Sequence, residues 1–245
     1  MEDFVKALEN AARVASNTGI IRFSRFLDPA QVIAAQNIAR QYGVKLTTWG
    51  GYDHAERVIG CFHPYDASVP SDSFPISCLK GRYPSKFCTI THRDLLGSFM
   101  SLGLTRACTG DMIISEEDVF LFACEETAPF IAQSLTSAGR ASLTLRILDS
   151  IPVMPQPKGT TFGAIVSSLR LDAVLAAAYR LSRSAAAEEI RSGNVKVNHL
   201  PSERVDMLLQ ENALLSLKGH GRIRLTEING LTKKQRISVS FFKYE

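Results

Sequence analysis

The chain has no apolar stretch approaching the roughly 18 residues needed to cross a bilayer, and its start, MEDFVKALENAARVA, pairs early acidic residues with helical spacing. A secretory signal would show a basic segment before an apolar run, so none is expected here, nor is a membrane partner; a cytoplasmic location follows. There is no low-complexity tract and no block of like charge. With 45% apolar and 21% charged residues over 245 positions, the whole chain is expected to fold. Paired thiol motifs are missing too. Cys61, Cys78, Cys88, Cys108 and Cys124 are odd in number and widely spaced, with no CxxC or CxC among them. That excludes a disulfide framework and a paired-ligand zinc site, and leaves buried reduced thiols. Cys61 and His63 sit two apart in an expected strand and lack a second ligand pair or a base with its orienter. No metal and no cofactor are expected.

Charge becomes informative when the chain is divided. Residues 1–161 carry 15 Lys and Arg against 16 Asp and Glu, whereas residues 162–245 carry 13 against 8. The net of +4 therefore resolves into −1 and +5, and the basic excess lies entirely in the last third. A polyanion should bind there.

Periodicity predicts an α+β protein. Phe4, Leu8, Ala11, Ala12 and Ala15 have helical spacing, and Asp28-Pro29 caps and opens a helix over about 29–41. VKLTTW (44–49) and ERVIGCF (56–62) read as strands across Gly50-Gly51, closing an amino-terminal α/β unit over 1–73. From 74 to 150 the order is strand or hairpin (FPISCLKG, KFCTI), helix (93–102), strands (DMIIS, DVFLFAC), helix (about 127–138) and strand (ASLTLRIL). That is the β-α-β-β-α-β order of a ferredoxin-like, RRM-like layer. Residues 151–161 hold three prolines between Pro152 and Pro157 and are expected to be a linker. After it, TFGAIVSSL predicts a strand. Leu171, Val174, Leu175 and Ala178 predict a helix with Arg170 and Asp172 at its solvent-facing start. Ser184 is expected to cap a second helix ending at Gly193-Asn194, and Asn229-Gly230 to turn the last hairpin.

Arg170-Leu171-Asp172, Ser182-Arg183, Gly193-Asn194-Val195-Lys196-Val197-Asn198 and Leu215-Ser216-Leu217-Lys218-Gly219-His220-Gly221-Arg222 follow one another at fixed spacings. Together they closely resemble the S4 (αL-type) RNA-binding domain, placed at 162–245. On this resemblance the expected RNA contacts are Arg170, Arg183, Arg191, Lys196, Asn198, Lys218, Gly219, Gly221, Arg222 and Arg224. Asp172, Ser182 and Gly193 are expected to support them. Cations at helix starts, on outward strand positions and around a glycine turn suit phosphates and 2′-hydroxyls read by shape. Two positions depart from many S4 modules, which have an acidic residue where this chain has Asn212 and an arginine where it has Lys218. The second keeps the charge and loses planar two-point contact.

RFLDP (25–29), GGYDHAER (50–57), HRDLLGSFMSLGL (92–104) and TGD (109–111) extend the likeness over nearly the whole chain. With the S4 module they resemble the bacterial YlmH family. The resemblance implies ribosomal RNA and the large ribosomal subunit as partners, tRNA as a further one, and a role in quality control of obstructed complexes that still carry peptidyl-tRNA. Members of the family are also described as cell-division proteins.

Other readings are weaker. His92-Arg93-Asp94-Leu95 looks like a kinase catalytic loop, but Phe99 stands where asparagine is needed and no glycine-rich loop precedes it. The bland reading is a capped helix start, with His92 and Arg93 as candidate amino-terminal contacts. Phe120 and Phe122 could stack bases as in an RRM or equally be core. An S4-bearing modifying enzyme, pseudouridine synthase-like, would need a catalytic centre in 1–161. There Asp53, Asp94 and Asp111 are single carboxylates, no small-molecule substrate site is evident, and no enzyme is expected. A protein-binding adaptor with incidental RNA affinity is the third class.

Overall fold

A computed structural model of the chain describes residues 2–53, 55–154, 159–232 and 234–244. They fall into two compact units, within residues 1–155 and 156–245. Residues 155–158, the middle of the expected linker, lie outside the described residues.

In the first unit, helices α1 (Glu2–Thr18) and α2 (Pro29–Gln41) cover one face of a three-stranded antiparallel sheet. Its strands are β1 (Arg22–Leu27), β2 (Lys45–Trp49) and β3 (Val58–His63), in the order β1-β3-β2. Asp28 starts α2 with a reciprocal cap: its carboxylate accepts the Gln31 amide at 2.9 Å, and the Gln31 side chain accepts the Asp28 amide at 2.9 Å. Leu8, Ala12 and Ala15 of α1 meet Ala35 and Ile38 of α2 over Leu27 and Phe62.

The ferredoxin-like elements follow as β4 (Ile76–Arg82), α3 (His92–Ser101), β5 (Thr109–Ile114), β6 (Asp118–Cys124), α4 (Ala128–Ser134), a small hairpin of β7 (Ser137–Ala138) and β8 (Ala141–Ser142), and β9 (Thr144–Ile147). The sheet order β5-β6-β4-β9, antiparallel throughout, is the one this connectivity requires when each helix crosses over one intervening strand. Leu79, Val119, Leu121 and Ala123 face Leu95, Phe99 and Ile131 of the helices. On the other side Cys78, Phe120, Phe122 and Cys124 meet Phe26, Ile59 and Cys61 of the first sheet. Strand β6 is therefore apolar on both faces, which is why it reads as an unbroken hydrophobic run.

Two local expectations are corrected, and one strand is added. KFCTI is no strand: Pro84 opens a turn whose carbonyl takes the amides of Phe87 (2.9 Å) and Cys88 (3.2 Å), leaving Phe87 89% exposed. Strand β1 was not foreseen. Between Phe23↔Cys61 and Phe26↔Ile59 it has one residue too many for its partner, and that bulge breaks the period-two signal. Asn229-Gly230 lies inside a strand instead of turning it. The chain reverses later, with Thr232 and Arg236 bonded across the turn at 2.7 Å.

The second unit packs two helices on a larger antiparallel sheet. Its elements are β10 (Gly159–Val166), α5 (Leu171–Tyr179), α6 (Arg183–Arg191), β11 (Val195–Val197), β12 (Leu200–Pro201), β13 (Leu214–Leu217), β14 (Gly221–Leu231) and β15 (Ile237–Tyr244). The order is β10-β15-β14-β13-β11-β12. Leu171, Val174 and Ala178 of α5 and Ala186 and Ile190 of α6 enclose Val195, Leu215, Leu217, Ile223, Leu225 and Phe241. Each of these large side chains contributes about 1.5–3 kcal/mol when fully buried.

Candidate nucleic-acid interface

Asp172 is the pivot of the second unit's helical side. It lies in the first turn of α5 and is only 6% exposed, which corrects its expected solvent-facing position. Oδ1 accepts from Arg170 Nε at 3.2 Å and from the Ala173 amide at 3.0 Å, and Oδ2 accepts from Arg183 Nε at 2.9 Å. Burial alone would raise this carboxyl. The hydrogen bonds from Arg183 and Arg170 outweigh it and hold the group below the usual carboxylate range. Each arginine is fixed through one nitrogen while about half of its side chain stays in solvent, 40% for Arg170 and 53% for Arg183. Two guanidinium groups are thus aimed outward at low conformational cost.

The start of α6 is capped by Ser182, not Ser184. Ser182 Oγ accepts the Ala185 amide at 3.1 Å and shares a 3.0 Å bond with the Ser184 hydroxyl. Arg191 is exposed in the last turn of α6, where a cation suits the helix dipole, and Gly193 follows at φ +70°.

The strands place their cations elsewhere. Val195 and Val197 are buried under the helices, so Lys196 between them points to the opposite face. Register then aligns Lys196 with Ser216, and Ser216 with Arg222. Arg222 and Arg224 alternate with buried Ile223 and Leu225. Arg170 and Arg183 are therefore on the helical side of the layer, and Lys196, Arg222 and Arg224 on the other. The surface that looked continuous along the sequence has two faces.

Arg224 is fixed by its Nε–H to the Tyr244 hydroxyl at 2.8 Å and by Nη1 to the Asn212 carbonyl at 3.2 Å. The guanidinium carbons of Arg222 and Arg224 lie 5.2 and 5.9 Å from the Tyr244 ring centroid, and Phe242 meets Tyr244 edge-on at 5.0 Å. Sequence reasoning missed both aromatics. Alternation in ISVSFFKY, with Val239 and Phe241 buried, was the signal that could have found them.

Between the faces runs the β13–β14 turn. Gly219 and Gly221 take φ +80° and +84° on either side of exposed His220, and neither has a heavy atom within 4 Å of where a Cβ would stand. Lys218 is exposed beside them, its amide bonded to the Asn194 carbonyl at 3.0 Å. The Tyr179 hydroxyl reaches the Leu215 and Gly221 carbonyls at 3.1 and 3.0 Å. Burial pushes its ionisation up to about 12, so it remains a donor that fixes the turn to α5. Asn198, at φ +48°, exchanges bonds with Leu214: its amide donates to the Leu214 carbonyl, and its Oδ1 accepts the Leu214 amide, both at 2.8 Å. That side-chain oxygen is committed to the turn. Asn212, the departure noted above, sits at φ +66°, which asparagine tolerates well.

In the first unit the motifs RFLDP, GGYDHAER and TGD converge on Asp111. Its carboxylate accepts from the Tyr52 hydroxyl (2.8 Å) and from the amides of Glu56 (2.7 Å) and Arg57 (3.1 Å). The Arg57 guanidinium donates to the carbonyls of Arg106 (2.9 Å), Thr109 (3.0 Å) and Phe26 (3.3 Å). Burial raises the Asp111 carboxyl against these hydrogen bonds. Tyr52 stacks on Phe122 at 5.0 Å. This is a fastening of two sheets, and it gives Asp111 the partners that its sequence context did not reveal. Asp94 caps α3 by bonding Thr91, with His92 and Arg93 exposed beside it, and Phe120 and Phe122 are buried away from any base. His63 is 1% exposed, with Thr47 and the Pro64 carbonyl both at 2.8 Å. Among the described residues no three His, Cys, Asp or Glu side chains group as metal ligands, and no helix is long and apolar enough to cross a membrane.

Comparison with known proteins follows the same division. Residues 1–60 match the family model "YlmH, N-terminal", residues 70–150 the model "Putative RNA-binding domain in YlmH", and residues 169–215 the S4 domain. A protein of Bacillus subtilis (strain 168) named "Ribosome-associated protein quality control protein P2" is 36% identical over 230 residues, which cover 94% of this chain and 90% of that one. A solved structure, the cell division protein ylmH from Streptococcus pneumoniae, superposes with a TM-score of 0.51 at 22% identity. It covers 60% of this chain and 90% of its own, a likeness of fold.

Proposed function

Because this chain belongs to the YlmH family of S4-domain proteins, we propose that it is a ribosome-associated RNA-binding protein that attaches to structured RNA of the large subunit and acts in quality control of obstructed complexes holding peptidyl-tRNA. It works by binding, without catalysis or a cofactor. The observation that carries the reading is the Asp172 fork, which presents Arg170 and Arg183 together at the starts of two helices. Paired guanidinium groups at fixed separation suit successive phosphates of a folded RNA, and the shallow groove of an A-form helix offers 2′-hydroxyls to the same surface. The basic excess of residues 162–245 supplies attraction over a longer range. The near-neutral first unit is a second attachment surface, joined through residues 151–158 because 159–161 already belong to β10. Two modest contacts on one particle then give firm attachment through effective concentration.

Sedimentation with purified large subunits tests this. The intact protein should travel with them, more so when peptidyl-tRNA is retained. The variant carrying Arg183→Gln, which keeps an amide donor for Asp172, with Arg222→Glu should come off while remaining folded. A folded variant retained in full, or a native protein found only on messenger RNA or free in solution, would end the proposal.

A further inference from the structure

On the face of the second sheet turned away from α5 and α6, neighbouring strands align one residue each: Lys196 on β11, Ser216 on β13, Arg222 on β14, Tyr244 on β15 and Gly159 on β10. The adjacent row holds Arg224 opposite Phe242. Here the aromatic rings are set by their neighbours. A Cβ at Gly159 would fall 2.5 Å from Phe242 Cζ, so the ring lies over a position only glycine leaves open. Tyr244 carries Arg222 and Arg224 against its ring and accepts from Arg224 Nε. The acidic Glu227 comes one pair further on, opposite Ser240, so the cationic end of the face is the one beside the β13–β14 turn.

We infer that this face docks an unpaired stretch of RNA, a nucleobase stacking on the Tyr244–Phe242 and arginine surface while Lys196 takes a phosphate. It rests on the reading above that the unit binds RNA. Rings and guanidinium planes offer flat π surface, which paired bases inside a duplex cannot reach and splayed bases can. Strand spacing puts Lys196 roughly 14 Å from Tyr244, room for a short extended segment. Three cations on the face match the charge of a backbone, and stacking on them is indifferent to base identity.

The test uses the intact protein with two probes, a short unstructured oligoribonucleotide carrying one thiouridine and a fully paired RNA hairpin whose strands are joined by a linker without nucleotides. Ultraviolet crosslinking of the unstructured probe should fall on Phe242 or Tyr244. Tyr244→Ala should weaken that probe about tenfold and the hairpin by less than about twofold, with Tyr244→Phe close to native. A crosslink map that omits residues 237–244, or a Tyr244→Ala chain that loses both probes equally or neither, overturns the inference. Hairpin binding without any binding of the unstructured probe also overturns it while leaving the earlier reading intact; loss of both probes by the native chain sinks the two together.

Discussion

Arg183 and Asp172 stand eleven residues apart, and their side chains meet at 2.9 Å between the starts of two helices. Asp172 has no other purpose visible in its surroundings than to hold two arginines and its own helix start. Asp172→Ala should therefore cost about 1–3 kcal/mol in urea unfolding, since it removes two charge-assisted hydrogen bonds, a loss eased because both arginines keep access to water and the Ala173 amide keeps the Arg170 carbonyl at 3.1 Å. RNA affinity should fall with the salt slope retained, because no cation is removed; fluorescence anisotropy over a salt series checks it.

Removing a proposed phosphate contact should have a different signature. Arg183→Ala should weaken binding to structured RNAs of different sequence alike and lower the salt slope by roughly 1. The same titration reads it, and an unchanged slope would place Arg183 outside the interface.

Acid should loosen the second unit through the same carboxylate. The folded Asp172 ionises below its unfolded value of about 3.9. Its contribution is thus complete above that value and is lost as pH falls through the folded value. The stability gap between native chain and Asp172→Asn, followed by urea midpoints from neutral pH downward, should close only at the acid end. Asp94 and Asp118 in the first unit titrate in the same direction, held down by Thr91 and by Lys80 respectively.

Two glycines with similar backbones should respond differently. Gly51 has φ +98° and a Cβ there would lie 2.5 Å from the Phe122 ring, whereas Gly219 has φ +80° and open space. Gly219→Ala should cost about 1–2 kcal/mol, the left-handed penalty alone. Gly51→Ala adds overpacking of about 1–3 kcal/mol. Thermal unfolding of the two variants compares them.

Cleavage tests the division of the chain. Limited proteolysis should cut within 151–158, ahead of β10, and release a basic fragment, from about residue 159, that still binds RNA. A fragment that loses RNA binding would show that the second unit needs the first.

Much of the S4 unit was legible because its strands alternate cleanly, Val195-Lys196-Val197 and Ile223-Arg224-Leu225, and because Leu171, Val174 and Ala178 mark one helical stripe. The order of the ferredoxin-like elements was legible for the same reason. What escaped depends on relations across the chain. The bulge in β1 hides its period, and Asn229-Gly230 has turn chemistry yet serves a strand irregularity before the real reversal. Phe120 and Phe122 read as core or as bases' partners until the first sheet is seen over them. Outward cations were recognised one by one, but Lys196 and Arg183 reach opposite sides of a layer, and spacing along the chain carries no sign for that.

Strand β6 fills both faces of its sheet, and this orders events during synthesis. Until residue 124 has left the exit tunnel, Phe26, Ile59 and Cys61 have no Phe120, Phe122 or Cys124 to cover them. The first sheet waits with a bare apolar side for about 60 further residues, several seconds at ordinary elongation rates. A pause in translation after residue 63 has emerged and before residue 124 has done so would prolong that exposure, and nascent chains halted there should be the ones that chaperones hold.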